Sequence, residues 1–171
     1  MGVSYTASVA GMRTFQALHL VRKENVWIGI GKPTPWNEAD SVPEAAGTTA
    51  FAEPIGYKKA EKVRFVVPDP EGDIVQFEQR WKIVSEEAGR QSLARWVYVA
   101  SWIGGGELPV VSYRQSAIVT DLKLAPETPQ GKLAVLAEEV DDHGLPIVVN
   151  NRSPIHRAED QREYLEFIVE F

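Results

Sequence analysis

Apolar and polar positions alternate with a period of two along several stretches of this chain, and each such stretch predicts a half-buried β-strand. In residues 77–83, Phe77, Gln79, Trp81 and Ile83 point one way while Glu78, Arg80 and Lys82 point the other. Residues 164–171 repeat the pattern, with Leu165, Phe167, Val169 and Phe171 against Glu166, Ile168 and Glu170, so the chain ends as a strand. That strand either ties into its own sheet or pairs with an edge in a neighbouring subunit. Val63, Phe65 and Val67 predict a third strand. Residues 95–103 are apolar on both faces: Trp96, Tyr98, Ala100 and Trp102 on one, Val97, Val99, Ser101 and Ile103 on the other. This strand is expected to be central in its sheet or covered on both sides. Residues 113–122 form a further strand, with the one before Gly104-Gly105-Gly106 as expected partner, and residues 145–149 another, which residues 150–154 turn back.

A helical period occurs once with conviction. Met12, Phe15, Leu18 and Val21 recur at three-residue spacing with Arg13, Gln16, His19 and Lys23 between them, predicting an amphipathic helix over residues 12–23. Leu133, Leu136, Ala137 and Val140 fit a second, short helix, and residues 57–62 a single polar turn. Residues 85–92 read as a polar connection and residues 68–73 (PDPEGD) as a break.

Residues 26–36 (VWIGIGKPTPW) change character halfway. The first six suit a short buried strand. Pro33 and Pro35 cannot continue it inside a sheet, because each lacks an N–H and fixes φ near −65°. A stiff turn therefore follows, tipped by Trp36. A rigid segment with an aromatic tip loses little entropy on docking; the plainer alternative is that Trp36 folds back to plug the end of a sheet. Residues 37–54 have no period and read as a long surface loop.

Composition narrows the functional classes. The chain has 171 residues, 44% hydrophobic and 25% charged, enough to bury a core without staples. A net charge of −6 argues against general nucleic-acid binding. The absence of cysteine rules out disulfides, thiolate nucleophiles and Cys-based metal sites. No run is long enough to span a bilayer, and the first residues lack the pattern of a signal peptide.

Catalytic signals are missing as well. The three histidines lie in unrelated segments without metal-ligand spacing. The glycine clusters at Gly29/Gly31 and Gly104–Gly106 lack the context of a phosphate loop, and no nucleophile signature appears. The expectation is no catalytic residue, no metal and no cofactor. The row of Trp96 and Trp102 leaves a competing class open, a monomeric β-domain that stacks carbohydrate or nucleotide on an aromatic face.

Several pieces resemble the baseplate wedge and tail structural proteins of contractile-tailed bacteriophages. They are the helix of residues 12–23, the strand of residues 26–30, Gly31-Lys32-Pro33-Thr34-Pro35-Trp36 and the acidic residues 37–44. To these are added residues 96–103, Glu107-Leu108-Pro109, Tyr113-Arg114-Gln115, residues 118–122, residues 151–157 and residues 163–171. Residues 53–95 carry no matching motif. The resemblance implies a non-catalytic virion component, assembled in the host cytoplasm with copies of itself and other tail or baseplate proteins, with no nucleic-acid partner and no membrane insertion.

The expected fold is α+β, mainly β: an antiparallel sheet or small sandwich with an N-terminal amphipathic helix and a long proline-rich loop. Two parts are expected, residues 1–56 with helix, strand and docking loop and residues 57–171 with the main β-domain, readable also as one continuous domain. The interface candidates are Lys32, Pro33, Thr34, Pro35, Trp36 and Pro43 in the loop, and Tyr164, Phe167 and Phe171 in the last strand.

Overall fold

A computed structural model describes residues 2–48 and 50–171. In chain order the elements are α1 (Gly11–Val21), β1 (Val26–Gly31), β2 (Pro54–Lys59), β3 (Lys62–Pro68), β4 (Ile74–Gln76), β5 (Gln79–Ile83), α2 (Glu86–Gln91) and β6 (Trp96–Ile103). There follow β7 (Ser112–Thr120), β8 (Lys123–Leu124), β9 (Ala134–Leu136), β10 (Val140–Asp142), β11 (Leu145–His156) and β12 (Glu163–Glu170). The fold is mainly β and its recorded strand pairs are antiparallel, as the alternation predicts. The chain divides into two compact units, one made of residues 1–23, 62–99 and 166–171, the other of residues 24–61 and 100–165.

In the first unit the helices α1 and α2 pack on β3, and the strands run in the order β12-β6-β3-β5-β4, with β12 and β6 contributing residues 166–170 and 96–99. The central place expected for β6 is borne out. Ser85 caps α2 by accepting the Ala88 N–H at 3.1 Å, so the polar connection contains a short helix. The helical stripe read from sequence is displaced. Thr14, Ala17 and Leu20 face inward, while Met12 and Phe15 are 49% and 65% exposed. The small side chain of Ala17 suits close approach of a helix to a sheet, which hydrophobicity alone does not register. The strand expected over residues 77–83 also begins later. Phe77 and Glu78 have φ of +55° and +61° and form a two-residue turn between β4 and β5, pairing Gln76 with Gln79. Phe77 is therefore exposed, and Trp81 alone of its expected face is buried.

In the second unit a five-stranded sheet runs β11-β7-β1-β2-β9, beside a two-stranded pair of β8 and β10. Every residue of β1 is buried, as its place inside the sheet requires. Trp27, Tyr57, Ala117, Val119, Leu122, Val135 and Val140 form the core, with Phe51, Leu124 and Val149 packed against it. Three expectations change here. Residues 57–62 are not a helical turn: residues 57–59 end β2, where Lys58 is buried against Glu107 at 2.5 Å, and Lys62 begins β3. The short helix expected over residues 133–140 is β9, one 3-10 turn and the start of β10. Finally, β7 pairs with β1 and β11 rather than with β6, and β11 runs unbroken through the turn expected at residues 150–154. Register shifts at 146/148 and 151/155 absorb the two prolines of that strand, Pro146 and Pro154.

Candidate docking surfaces

The loop that follows β1 is fastened at several points. Lys32 adopts φ +57°, which turns the chain out of the strand. Its N–H donates to Ala52 O and Glu53 O at 3.0 and 3.2 Å, closing the base of the loop. Its ammonium donates to Glu53 at 2.7 Å and to Thr34 at 2.8 Å, and Thr34 donates to the same carboxylate. The Lys32 ammonium also stands 5.7 Å from the centre of the Trp36 ring. The hydrogen bonds from Lys32 and then Thr34 hold the Glu53 carboxyl below its ordinary range.

Trp36 is half-buried. Its indole N–H donates to Arg152 O on β11 at 3.0 Å, and its backbone N–H donates to Asp40 at 2.9 Å. The Nε of Arg114 on β7 donates to both Asp40 oxygens at 2.8 Å, and Nη1 of the same residue donates to Pro33 O at 2.6 Å. That guanidinium is the main reason the Asp40 carboxyl is held below its ordinary value. Trp36 thus bonds back to its own unit and keeps part of its surface free. Thr34, Pro35 and Pro43 are exposed and Pro33 is half-buried.

The return of the loop is held by residues that sequence reasoning passed over. Gln115, 1% exposed on β7, accepts the Ala52 N–H at 2.7 Å and donates to Asn151 at 2.9 Å. Asn151 in turn donates to Pro43 O and to the Thr48 hydroxyl. Phe51 lies over Gly29 and Gly31, where added Cβ atoms would stand 2.7 Å from its ring. The two glycines, which lack the context of a phosphate loop, therefore make a slot for an aromatic side chain. Alternating glycines within an apolar strand were the available signal, since glycine there marks close approach.

The last strand is engaged along its length. In the first unit Glu166 accepts the Tyr98 hydroxyl at 2.6 Å, Glu170 pairs with Arg95 at 2.8 Å, and Phe167 and Phe171 are half-buried. In the second unit Tyr164 lies against Trp102 with ring centres 4.8 Å apart, and the Arg162 guanidinium sits 4.2 Å from the Trp102 ring centre. Trp102 remains 39% exposed. Trp96, in the first unit, is half-buried against Trp81 at 5.7 Å with Arg95 at 4.9 Å. Each ring of the expected stacking row is thus already partnered by its own unit.

The second unit also holds an ion pair with a buried cation and a half-buried carboxylate. Arg157, whose side chain is 1% exposed, donates to Glu163 at 2.7 Å and to the carbonyls of Gly104, Leu108 and Pro109. Tyr113 donates to the same glutamate at 2.7 Å; burial, then that bond, raises its pKa and keeps the phenol neutral. Among the described residues no group of three or more His, Asp and Glu side chains is arranged to hold a metal ion. His143 meets the buried Tyr57 hydroxyl at 2.6 Å and His156 meets the Ser112 hydroxyl at 2.5 Å. Among the described residues no helix is long and apolar enough to cross a membrane.

Two comparisons bear on these surfaces. A family model described as baseplate wedge 3 tail fiber network component matches residues 5–171. Virion protein 3 of Enterococcus phage phiEF24C is 33% identical over 165 residues, covering 92% of this chain and 90% of the relative.

Proposed function

The chain belongs to the baseplate wedge 3 tail fiber network component family of phage structural proteins, and we propose that within it this protein joins neighbouring subunits during contractile tail assembly. The contacts are made by the loop of residues 32–54, with Trp36 as its anchor, and by β12. The partners are other wedge and tail fiber network subunits and further copies of the chain, brought together in the host cytoplasm, and the role is non-catalytic.

What supports the reading is the state of the loop. A long exposed segment ordinarily loses conformational entropy when it binds. Here Glu53, Asp40, Arg114 and Gln115 already fasten its described residues at several points, while Thr34, Pro35, Pro43 and part of Trp36 stay open to a partner. Rigid aromatic residues are the usual anchors of protein interfaces.

The test is incorporation into particles. Phage carrying Trp36→Ala are fractionated into heads and tails, and the tail fraction is assayed for the chain by mass spectrometry. A folded variant that is depleted from tails agrees with the proposal. Incorporation at the wild-type level would remove Trp36 as an anchor.

A further inference from the structure

The two five-stranded sheets end in four edge strands: β11, β9, β12 and β4. An open edge invites pairing with another chain, and proteins ordinarily blunt it with shortness, proline, bulges or charged side chains, lysine above all. β4 and β9 have three residues each. β11 carries Pro146 and Pro154 and shifts register twice. β12 is different, with eight residues that include neither proline nor lysine. Its charges in the first unit, Glu166 and Glu170, are taken up by Tyr98 and Arg95.

The same unit contains a segment with the complementary pattern. In residues 3–9, Val3, Tyr5, Ala7 and Val9 alternate with Ser4, Thr6 and Ser8, without a charge or a proline. This is the alternation of a strand. Yet the segment joins no helix or strand, and Val3, Tyr5 and Val9 are 78%, 93% and 77% exposed. At its end the Met12 and Arg13 N–H groups donate to Val9 and Ala10, turning the chain into α1. One chain therefore presents both a strand without a sheet and a sheet edge without a strand.

We propose that residues 3–9 of one copy add as a strand to the β12 edge of a second copy, over residues 166–171. Seven extended residues span roughly 23 Å, enough to cover that length. Charge selects this occupant. Glu166 and Glu170 share one face of β12, so pairing the strand with its own counterpart is unfavourable in every register that sets one of them opposite the same pair in the second copy. The segment brings no charge. The idea rests on the reading that copies of this chain meet in the baseplate.

The absence of cysteine makes the test clean. Particles are assembled from a mixture of two full-length variants, Thr6→Cys and, in turn, Phe167→Cys, Ile168→Cys or Val169→Cys. They are then oxidised mildly and denatured. The expected result is a disulfide-linked dimer, formed at Ile168 or at Phe167 and Val169 but not at all three, because successive positions on a strand face opposite ways. Particles that contain both variants yet yield no dimer at any position would overturn the proposal. So would a chain carrying both cysteines that closes only on itself. A general amine crosslinker on wild-type particles separates the two levels of the argument: any copy-to-copy product keeps self-association standing, and none refutes it together with the strand exchange.

Discussion

Replacing Gly29 by alanine tests how the docking loop is seated. The new Cβ would stand 2.7 and 2.9 Å from Phe51 ring atoms and 3.1 Å from Tyr57 Cδ1. Overpacking of that kind costs about 2 kcal/mol, a fall in Tm of roughly 4–8 °C for a chain of this size. Phe51→Ala alone removes a half-buried ring, also at about 2 kcal/mol, near half the usual cost of truncating a fully buried phenylalanine. In the double variant the main obstacle is gone. Alanine there should be nearly neutral, the residual Tyr57 contact offset by the lower backbone entropy of alanine, a gain of roughly 0.5–1 kcal/mol. The expected coupling is therefore about 2 kcal/mol, read from urea unfolding of the four proteins. Limited proteolysis supplies the second measurement: Gly29→Ala and Phe51→Ala should each speed cleavage within residues 37–54. Simply additive costs, or a loop equally protected in all four, would refute the seating of Phe51 in the glycine slot.

Other expectations follow from the same contacts. Trp36→Ala should lower stability by about 1–2 kcal/mol, the worth of one hydrogen bond and part of a ring, and leave the far-UV spectrum unchanged; Trp36→Phe should recover most of this, and global unfolding of either variant would favour a core-plug role. Arg157→Met should cost about 3–5 kcal/mol, because Glu163 loses its ion-pair partner and three carbonyls lose their donor; a thermal melt changed by less than roughly 3 °C would contradict that weight. The Asp40 carboxyl lies below its ordinary 3.8 in the folded protein, so its contribution is complete above that value and is lost as pH falls through the lowered one. Tm should hold from neutral pH to about 5 and decline below about 4, and Asp40→Asn should flatten part of that decline, Glu53 supplying another part in the same direction; an unchanged slope in Asp40→Asn would refute the assignment.

The sequence by itself determined the secondary structure wherever local pattern and burial coincide. β1, β3, β6 and β12 follow from apolar positions that stay apolar under any sensible pairing, and the proline-rich exit from β1 follows from the two missing N–H groups. The motifs at Gly31–Trp36 and along the second half also sufficed to suggest the family. Tertiary structure decided what pattern could not. Phe77 reads as a strand residue until the partner strand turns it into a corner. Met12 and Phe15 read as the buried stripe until contact with β3 selects Thr14, Ala17 and Leu20 instead. The loop residues Trp36 and Asp40 find Arg114 and Arg152 at separations of 74 to 116 positions in the chain. Such pairings depend on which strands lie side by side, and period-two alternation specifies a strand's faces without naming its neighbours. The charge on Arg114 and the amide of Gln115 were visible in the sequence, but only the sheet brings them beneath the loop.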